Sequence, residues 1–118
     1  RYNNSFGSTP LIKVPREEPE VKHAYHLYTL LINFPELGKT RNQVMIELRE
    51  RGVGTQVLYI PVHLQPFYRR TYDYRPGDLP VSERYYEECL SIPMYAGLSD
   101  NDVDYVVEQI LEVTQKRE

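Results

Sequence analysis

The sequence lacks the residues that build disulfide frameworks, metal clusters and membrane spans. It has one cysteine and no tryptophan, and a single thiol excludes an internal disulfide or a site made of several thiolates. No apolar run comes near the roughly 20 residues that cross a bilayer. The first residues also lack the apolar core of a secretion signal. These absences predict a cytoplasmic protein without a membrane segment.

Positive charge is scarce as well. The chain has 14 basic and 17 acidic residues, so its formal net charge is 14 − 17 = −3, which argues against binding nucleic acid through net charge. The lysines lie beside predicted turns or element ends, and none has the apolar surroundings that Schiff-base chemistry on a lysine requires. They are Lys13, Lys22, Lys39 and Lys116. No glycine-rich phosphate loop is present either, so we expect neither a catalytic nor a cofactor-binding residue.

Apolar patterning supports one small α+β domain. The 118 residues fit a single domain with one modest core. The predicted elements are a strand at 23–34, a helix at 40–51, a strand at 53–60, a long loop at 61–79, a helix at 80–90, a strand at 91–95 and a helix at 99–116. This order predicts a two-layer domain with helices on one side of a short, mostly antiparallel sheet. Residues 1–22 are a predicted lead-in with an edge strand at 11–14, and residues 23–118 are the domain proper.

Two helix starts carry capping boxes, in which a hydroxyl and a polar side chain three residues later each accept a backbone hydrogen bond. The pairs are Thr40 with Gln43 and Ser99 with Asp102. The last helix has acids in its first turns and a basic pair at 116–117, an arrangement that the helix dipole favours.

The histidines and the cysteine offer several alternatives. A zinc site made of His26, His63 and a carboxylate is conceivable, but no ligand-spacing motif supports it, and we prefer a hydrogen-bonded, partly buried His26. His23 and His26 have odd spacing on the predicted strand and point to opposite faces. Cys89 could act as a nucleophile with His63, but a small core residue is the preferred interpretation. Glu83 is assigned to the solvated face of its helix.

The segment 55–70 is the richest in chemistry. It ends a predicted strand, opens the long loop, and gathers an imidazole, two amides, aromatic rings and two guanidinium groups between prolines. That mixture suits a polar, ring-bearing ligand such as a sugar nucleotide. Packing of its tyrosines on another domain is an equally open interpretation. If the chain is one domain of a larger protein, we expect the loop at 61–79 to be mobile or covered by a neighbour when that domain stands alone.

Three stretches of the chain together resemble one enzyme family. They are HAYHLYTLLIN, TRNQVMIELRERGVGTQVLYIPVHLQPFYR and GDLPVSERYYEECLSIPMYAGLSDNDVDYVVEQI. In this order they resemble the C-terminal small domain of the DegT/DnrJ/EryC1/StrS family of pyridoxal-phosphate-dependent sugar aminotransferases. The resemblance implies the fold type I of aspartate aminotransferase, and a chain that is one domain of an enzyme near three times its length.

The resemblance also implies an activity. The longer enzyme would transfer an amino group, from glutamate, to a 4-keto-6-deoxy nucleotide sugar in polysaccharide biosynthesis, as a homodimer. The catalytic lysine and pyridoxal 5'-phosphate would belong to the part outside this chain, so the chain alone would bind no cofactor and be inactive. The alternative is a free-standing α+β module that binds a ligand or regulates a partner.

By the same resemblance, His63, Gln65 and Tyr68 face an active-site cleft and help to hold the nucleotide sugar. The family commonly has a histidine where this chain has Leu58. If that histidine contacts substrate, the selectivity of this protein differs from that of its relatives.

Overall fold

A computed structural model describes residues 1–115. The helices are α1 (Tyr2–Phe6), α2 (Phe34–Leu37), α3 (Arg41–Glu50), α4 (Pro66–Tyr72), α5 (Pro80–Glu88) and α6 (Asp100–Val113). The strands are β1 (Ile12–Lys13), β2 (Tyr28–Ile32) and β3 (Cys89–Ile92), and a 3-10 helix covers Val62–Leu64.

The strands form one antiparallel sheet in the order β1-β2-β3. Ile12 of β1 pairs with Ile32 of β2, and Tyr28 of β2 pairs with Ile92 of β3. Leu30 and Ile32, on one face of β2, are completely buried. The predicted α+β class, the small antiparallel sheet and the short edge strand are confirmed.

The core draws on nearly every element. Its largest fully buried side chains are Phe6, Leu30, Ile32, Leu48, Leu90 and Ile110. Phe6 and the neighbouring Tyr2 come from α1, so the N-terminal segment packs into the same cluster as the sheet.

Both predicted capping boxes are present. The Thr40 hydroxyl accepts a hydrogen bond from the backbone N–H of Gln43 at 3.2 Å, and the Gln43 side chain accepts one from the N–H of Thr40 at 2.8 Å. Ser99 and Asp102 make the same exchange at the start of α6. The predicted basic pair at 116–117 lies outside the described residues, and the described helix ends at Val113.

The predicted strand at 53–60 is wrong. Only Gln56 pairs there, through two backbone hydrogen bonds with Ser91 at 2.8 and 3.0 Å. Tyr59 and Ile60 are 75% and 48% exposed. Residues with high β-propensity form strands when a half-buried surface receives their side chains, and beyond Gln56 this segment leaves the sheet edge.

The predicted strand at 23–34 is too long. The observed strand, β2, begins only at Tyr28. The chain bends before it, because Tyr25 adopts a positive φ of 45° and its N–H donates to Nδ1 of His23 at 2.8 Å. At the other end, Phe34 already belongs to α2. His23 therefore lies in a bent segment before the strand, and the prediction that alternating strand geometry orients the two histidines does not apply.

Two further boundaries differ from the predictions. The segment 61–79 has regular structure of its own, the 3-10 helix and α4, because Pro66 is pre-organised for the first turn of a helix. The strand predicted at 91–95 begins earlier, at Cys89, directly after α5.

Candidate functional site

His63 is held inside the junction between the 3-10 helix and α5. Its ring is 4% exposed, and Nε2 lies 2.8 Å from Oε1 of Glu83. Glu83 also accepts hydrogen bonds from the backbone N–H groups of Gly77 at 2.9 Å and Leu79 at 3.4 Å. The hydrogen bond with His63, and then the one with Gly77, lower the pKa of Glu83. The assignment of Glu83 to a solvated helix face is therefore wrong.

Gln65 and Tyr68 differ in their surroundings. The side-chain amide of Gln65 donates to the carbonyl oxygen of Ile60 at 3.2 Å, which ties the start of α4 to the preceding turn. Tyr68 is 38% exposed, and its ring stacks on that of Tyr72 with the centroids 6.0 Å apart. The proposed substrate contacts of Gln65, Tyr68 and His63 remain predictions.

An exposed aromatic and apolar surface lies along the segment 59–72, which carries Tyr68. None of the residues of α4 is buried. The exposed side chains of this surface are Tyr59, Ile60, Val62, Phe67 and Tyr72. So many apolar groups in a short stretch of chain are typical of a binding or interaction surface.

The two guanidinium groups of the segment 55–70 line a cavity formed by α4 and the residues that follow it. Arg69, Arg70 and Arg75 line a cavity of about 540 Å³ with Tyr74. Arg75 also pairs with the exposed Asp73 at 2.9 Å. This cavity adds positive charge beside the exposed rings.

A basic groove on the other side of the sheet was not predicted from the sequence. Lys13, Arg16, His23 and His26 line a cavity of about 520 Å³ together with Leu58. His26 is exposed, so the preferred interpretation of a partly buried His26 is wrong. Had the segments at 11–14 and 28–32 been predicted to pair in antiparallel fashion, the sequence would have indicated that these residues come together.

Cys89 is a core residue, as predicted. Its side chain is 1% exposed, and its thiol donates to the carbonyl oxygen of Tyr86 at 3.4 Å. Burial raises the pKa of the thiol, against the opposing effect of the nearby Arg41. Since His63 is paired with Glu83, the two residues of the alternative thiol site each have other partners.

Metal ligation finds no support in the described part of the chain. Residues 1–115 contain no group of three His, Cys, Asp or Glu side chains that could hold a metal ion. The zinc site considered for His26 and His63 is not formed by these residues.

The fold is that of a domain found in aminotransferases of pyridoxal-phosphate fold type I. The model of the DegT/DnrJ/EryC1/StrS aminotransferase family matches residues 1–111. The chain belongs to this family.

Relatives from several organisms are similar over nearly the whole chain. Uncharacterized protein MJ1066 of Methanocaldococcus jannaschii is 40% identical over 115 residues, which are 98% of this chain and 30% of that protein. Spore coat polysaccharide biosynthesis protein SpsC of Bacillus subtilis is 35% identical over 116 residues, again 98% and 30% of the two chains. The chain therefore spans less than a third of the length of these relatives.

A solved structure shows the same fold. The putative sugar aminotransferase Spr1654 of Streptococcus pneumoniae, in its PLP form, superposes with a TM-score of 0.76 at 25% identity. The superposition covers 96% of this chain and 28% of that one.

The described residues do not fit pyridoxal phosphate. A Schiff base needs an amine held free beside the cofactor. The Lys39 ammonium is instead bound by Glu47 at 2.7 Å and by the carbonyl oxygen of Val113 at 3.0 Å. Lys13 and Lys22 are exposed on the surface. Within residues 1–115, no lysine is therefore both buried and without a partner.

None of the helices within residues 1–115 combines the length and apolar composition that spanning a membrane requires.

Proposed function

We propose that this chain acts as the small, C-terminal domain of a pyridoxal-phosphate-dependent nucleotide-sugar aminotransferase of polysaccharide biosynthesis. The observation that carries the proposal is the family match over residues 1–111, in a chain that corresponds to 30% of the spore coat polysaccharide protein. The longer enzyme transfers an amino group, from glutamate, to a 4-keto-6-deoxy nucleotide sugar. It works as a cytoplasmic homodimer, and its catalytic lysine and cofactor lie outside the described residues.

In this proposal the segment 59–72 faces the cleft in which the nucleotide sugar binds. Support comes from the exposure of Tyr59, at 75%, and of Phe67, at 57%. Tyr68 offers a hydroxyl and a ring to the substrate. His63 is paired with Glu83 and Gln65 donates to the carbonyl oxygen of Ile60, so both side chains also hold the segment in place. In this proposal His63 and Gln65 help to bind the nucleotide sugar together with Tyr68.

The activity test uses the longer polypeptide that carries this chain. We expect it to transfer the amino group of glutamate to a UDP-linked 4-keto-6-deoxy sugar, with product measured by mass spectrometry. The isolated 118-residue chain should give no product under the same conditions. Turnover by the isolated chain would contradict its assignment as a domain without a catalytic lysine.

Tyr68→Phe tests the substrate contact within that enzyme. A hydroxyl that binds the nucleotide sugar but not the amino donor should raise KM for the sugar and leave KM for glutamate unchanged. Tyr95→Phe is the matched control, because Tyr95 is 63% exposed and lies in the turn after β3. Equal effects of Tyr68→Phe on both substrates would contradict a role in sugar binding.

A further inference from the structure

The carboxylate of Glu83 has three hydrogen-bond partners, and all of them lie outside its own helix. Nε2 of His63 lies 2.8 Å from Oε1. The backbone N–H of Gly77 donates to both carboxylate oxygens at 2.9 Å, and that of Leu79 donates to Oε1 at 3.4 Å. Within residues 1–115, Glu83 is the only charged side chain that pairs with His63. The carboxylate therefore connects the two ends of the segment 63–77.

Few other contacts hold the chain between those two ends. None of the side chains of α4 is buried, so apolar packing does little to fix this helix. Gln65 fastens its start by donating to the carbonyl oxygen of Ile60 at 3.2 Å. The ring of Tyr74 packs edge-on against that of His63, with the centroids 6.0 Å apart. The position of α4 therefore depends on the polar contacts at its ends, which include those of Glu83.

The turn at 75–78 presents the N–H of Gly77 to that carboxylate. Gly77 adopts a φ of 96°, in the left-handed region that favours glycine. Asp78 stabilises the turn by accepting the N–H of Arg75 at 2.8 Å. The guanidinium group of Arg75 pairs with Asp73 at 2.9 Å. The charged side chains at this turn thus have partners of their own, and the N–H of Gly77 bonds to the carboxylate.

The pairing also fixes which ring nitrogen of His63 carries a proton. The hydrogen bonds with His63 and then with Gly77 lower the pKa of Glu83, so near neutral pH the carboxylate is ionised and can only accept. Nε2 must therefore carry a proton, and the acceptor of the neutral ring is Nδ1. Within residues 1–115, no buried side-chain nitrogen or oxygen lacks a hydrogen-bond partner. Since Nδ1 has no partner among these residues, it lies where the ring reaches the surface.

We propose that Glu83 is a positioning residue of the sugar-binding segment and acts through His63. It keeps the proton on Nε2, so that Nδ1 accepts a hydrogen bond from a hydroxyl group of the nucleotide sugar. Its bonds to the backbone at 77–79 hold the segment 59–72 in the conformation in which Tyr68 reaches the same ligand. The proposal deepens the proposed function and rests on it, since it requires the nucleotide sugar to bind at this segment.

The first test determines the tautomer of His63 in the 118-residue chain by nitrogen-15 NMR, because an imidazole nitrogen has different chemical shifts with and without its proton. At about pH 8, where a free imidazole is neutral, we expect a proton on Nε2 and none on Nδ1. In Glu83→Gln the amide can donate as well as accept, so both tautomers should appear. Glu87→Gln, at an exposed position of the same helix, should leave the proton on Nε2. A proton on Nδ1 of the parent chain would overturn the proposal.

The second test measures kinetics in the longer polypeptide. Glu83→Gln should raise KM for the nucleotide sugar about five- to tenfold, as the loss of a hydrogen bond to the ligand predicts, and leave KM for glutamate unchanged. Glu87→Gln should change neither KM value. Leu48→Ala, a substitution in the core, represents a domain that is merely destabilised, and it should lower the folded fraction without raising KM for the sugar.

A double-mutant cycle tests whether Glu83 acts through His63. His63→Gln should also raise KM for the sugar. The double variant should lose less than the product of the two single losses, because both substitutions remove the same contact. A loss equal to that product would overturn the proposal. If His63→Gln does not fold, the tautomer of the parent chain and the KM values of Glu83→Gln still decide the matter.

The proposed function fails separately, because binding of the UDP-linked sugar can be measured by calorimetry without turnover. If the longer polypeptide binds this sugar but transfers no amino group, and Glu83→Gln weakens the binding, the positioning role stands and the enzyme assignment falls. If amino transfer occurs and Glu83→Gln leaves KM for the sugar unchanged, the positioning role falls alone. Absence of both binding and transfer would overturn both.

Discussion

The imidazole of His63 and the carboxylate of Glu83 lie 2.8 Å apart at a junction that connects two helical segments of the chain. His63 belongs to the 3-10 helix before α4, and Glu83 to the first turn of α5. Because the same carboxylate accepts the N–H of Gly77 at 2.9 Å, one side chain anchors both ends of the segment 63–77.

We predict that Glu83→Gln destabilises this segment near neutral pH. Because the pKa of Glu83 is lowered in the folded protein, the ionised carboxylate stabilises the fold at pH values above its ordinary pKa of 4.5. This contribution is lost as the pH falls through the lowered pKa of the folded state. The difference in unfolding free energy between the parent chain and Glu83→Gln should therefore be full near neutral pH and shrink below 4.5. Urea unfolding at several pH values measures it.

Glu87→Gln is the matched control for that experiment, because Glu87 lies on the same helix and is exposed. It should change the unfolding free energy by no more than about 0.5 kcal/mol. A Glu83→Gln effect that is constant between pH 3 and 7 would contradict an anchoring role for the ionised carboxylate.

The α3 helix offers a direct test of core packing. Leu48 is completely buried, whereas Ile46, two residues earlier, is 49% exposed. Leu48→Ala should cost about 2–5 kcal/mol in chemical denaturation, through lost burial and the cavity it leaves. Ile46→Ala should stay within about 0.5 kcal/mol. Similar costs for the two variants would mean that α3 does not present the described face to the core.

Two tyrosines should ionise late in an alkaline titration. Burial raises the pKa of both Tyr2 and Tyr28 to about 12, and neighbouring tyrosines add to the effect. Of the 11 tyrosines, these two should contribute their ultraviolet ionisation signal last. The stability gained by burying their neutral hydroxyls is full below pH 10 and is lost as the pH rises toward 12.

Single substitutions assign that late phase. Tyr2→Phe and Tyr28→Phe should each remove one equivalent from it, and Tyr59→Phe, at an exposed position, should leave both equivalents in place. Tyr2 donates to the carbonyl oxygen of Pro93 at 2.8 Å, so Tyr2→Phe should also lower stability by about 1 kcal/mol. A late phase that survives both Tyr2→Phe and Tyr28→Phe would refute the assignment.

Cys89 should be protected from thiol reagents in the folded protein. The thiol is buried, its pKa is raised by that burial, and the thiolate is the reactive form. Labelling with a disulfide reagent should be slow in buffer, fast in denaturant, and faster in Leu48→Ala than in the parent chain, because destabilisation increases the opened population. Since Cys89 is the single cysteine, the signal is unambiguous, and rapid labelling of the native chain would contradict the burial.

Local signals in the sequence were sufficient for the helices that start at Thr40 and Ser99. Their capping boxes depend on residues three positions apart, and the apolar face of α6 repeats at helical spacing, so no distant contact is needed to predict them. The burial of Cys89 could also be predicted from the sequence.

Distant contacts decided the rest. His63 looked available for a ligand, yet its ring is buried against Glu83, 20 residues further along the chain. The strand expected at 53–60 did not form, since strand formation needs a neighbouring backbone and only Gln56 finds one. The sequence by itself determined the family, the helix starts and the α+β class, because these follow from local patterns and motif order. Only the tertiary structure placed Lys13 and His23 in one groove, because the antiparallel pairing of β1 with β2 joins residues that no local spacing connects.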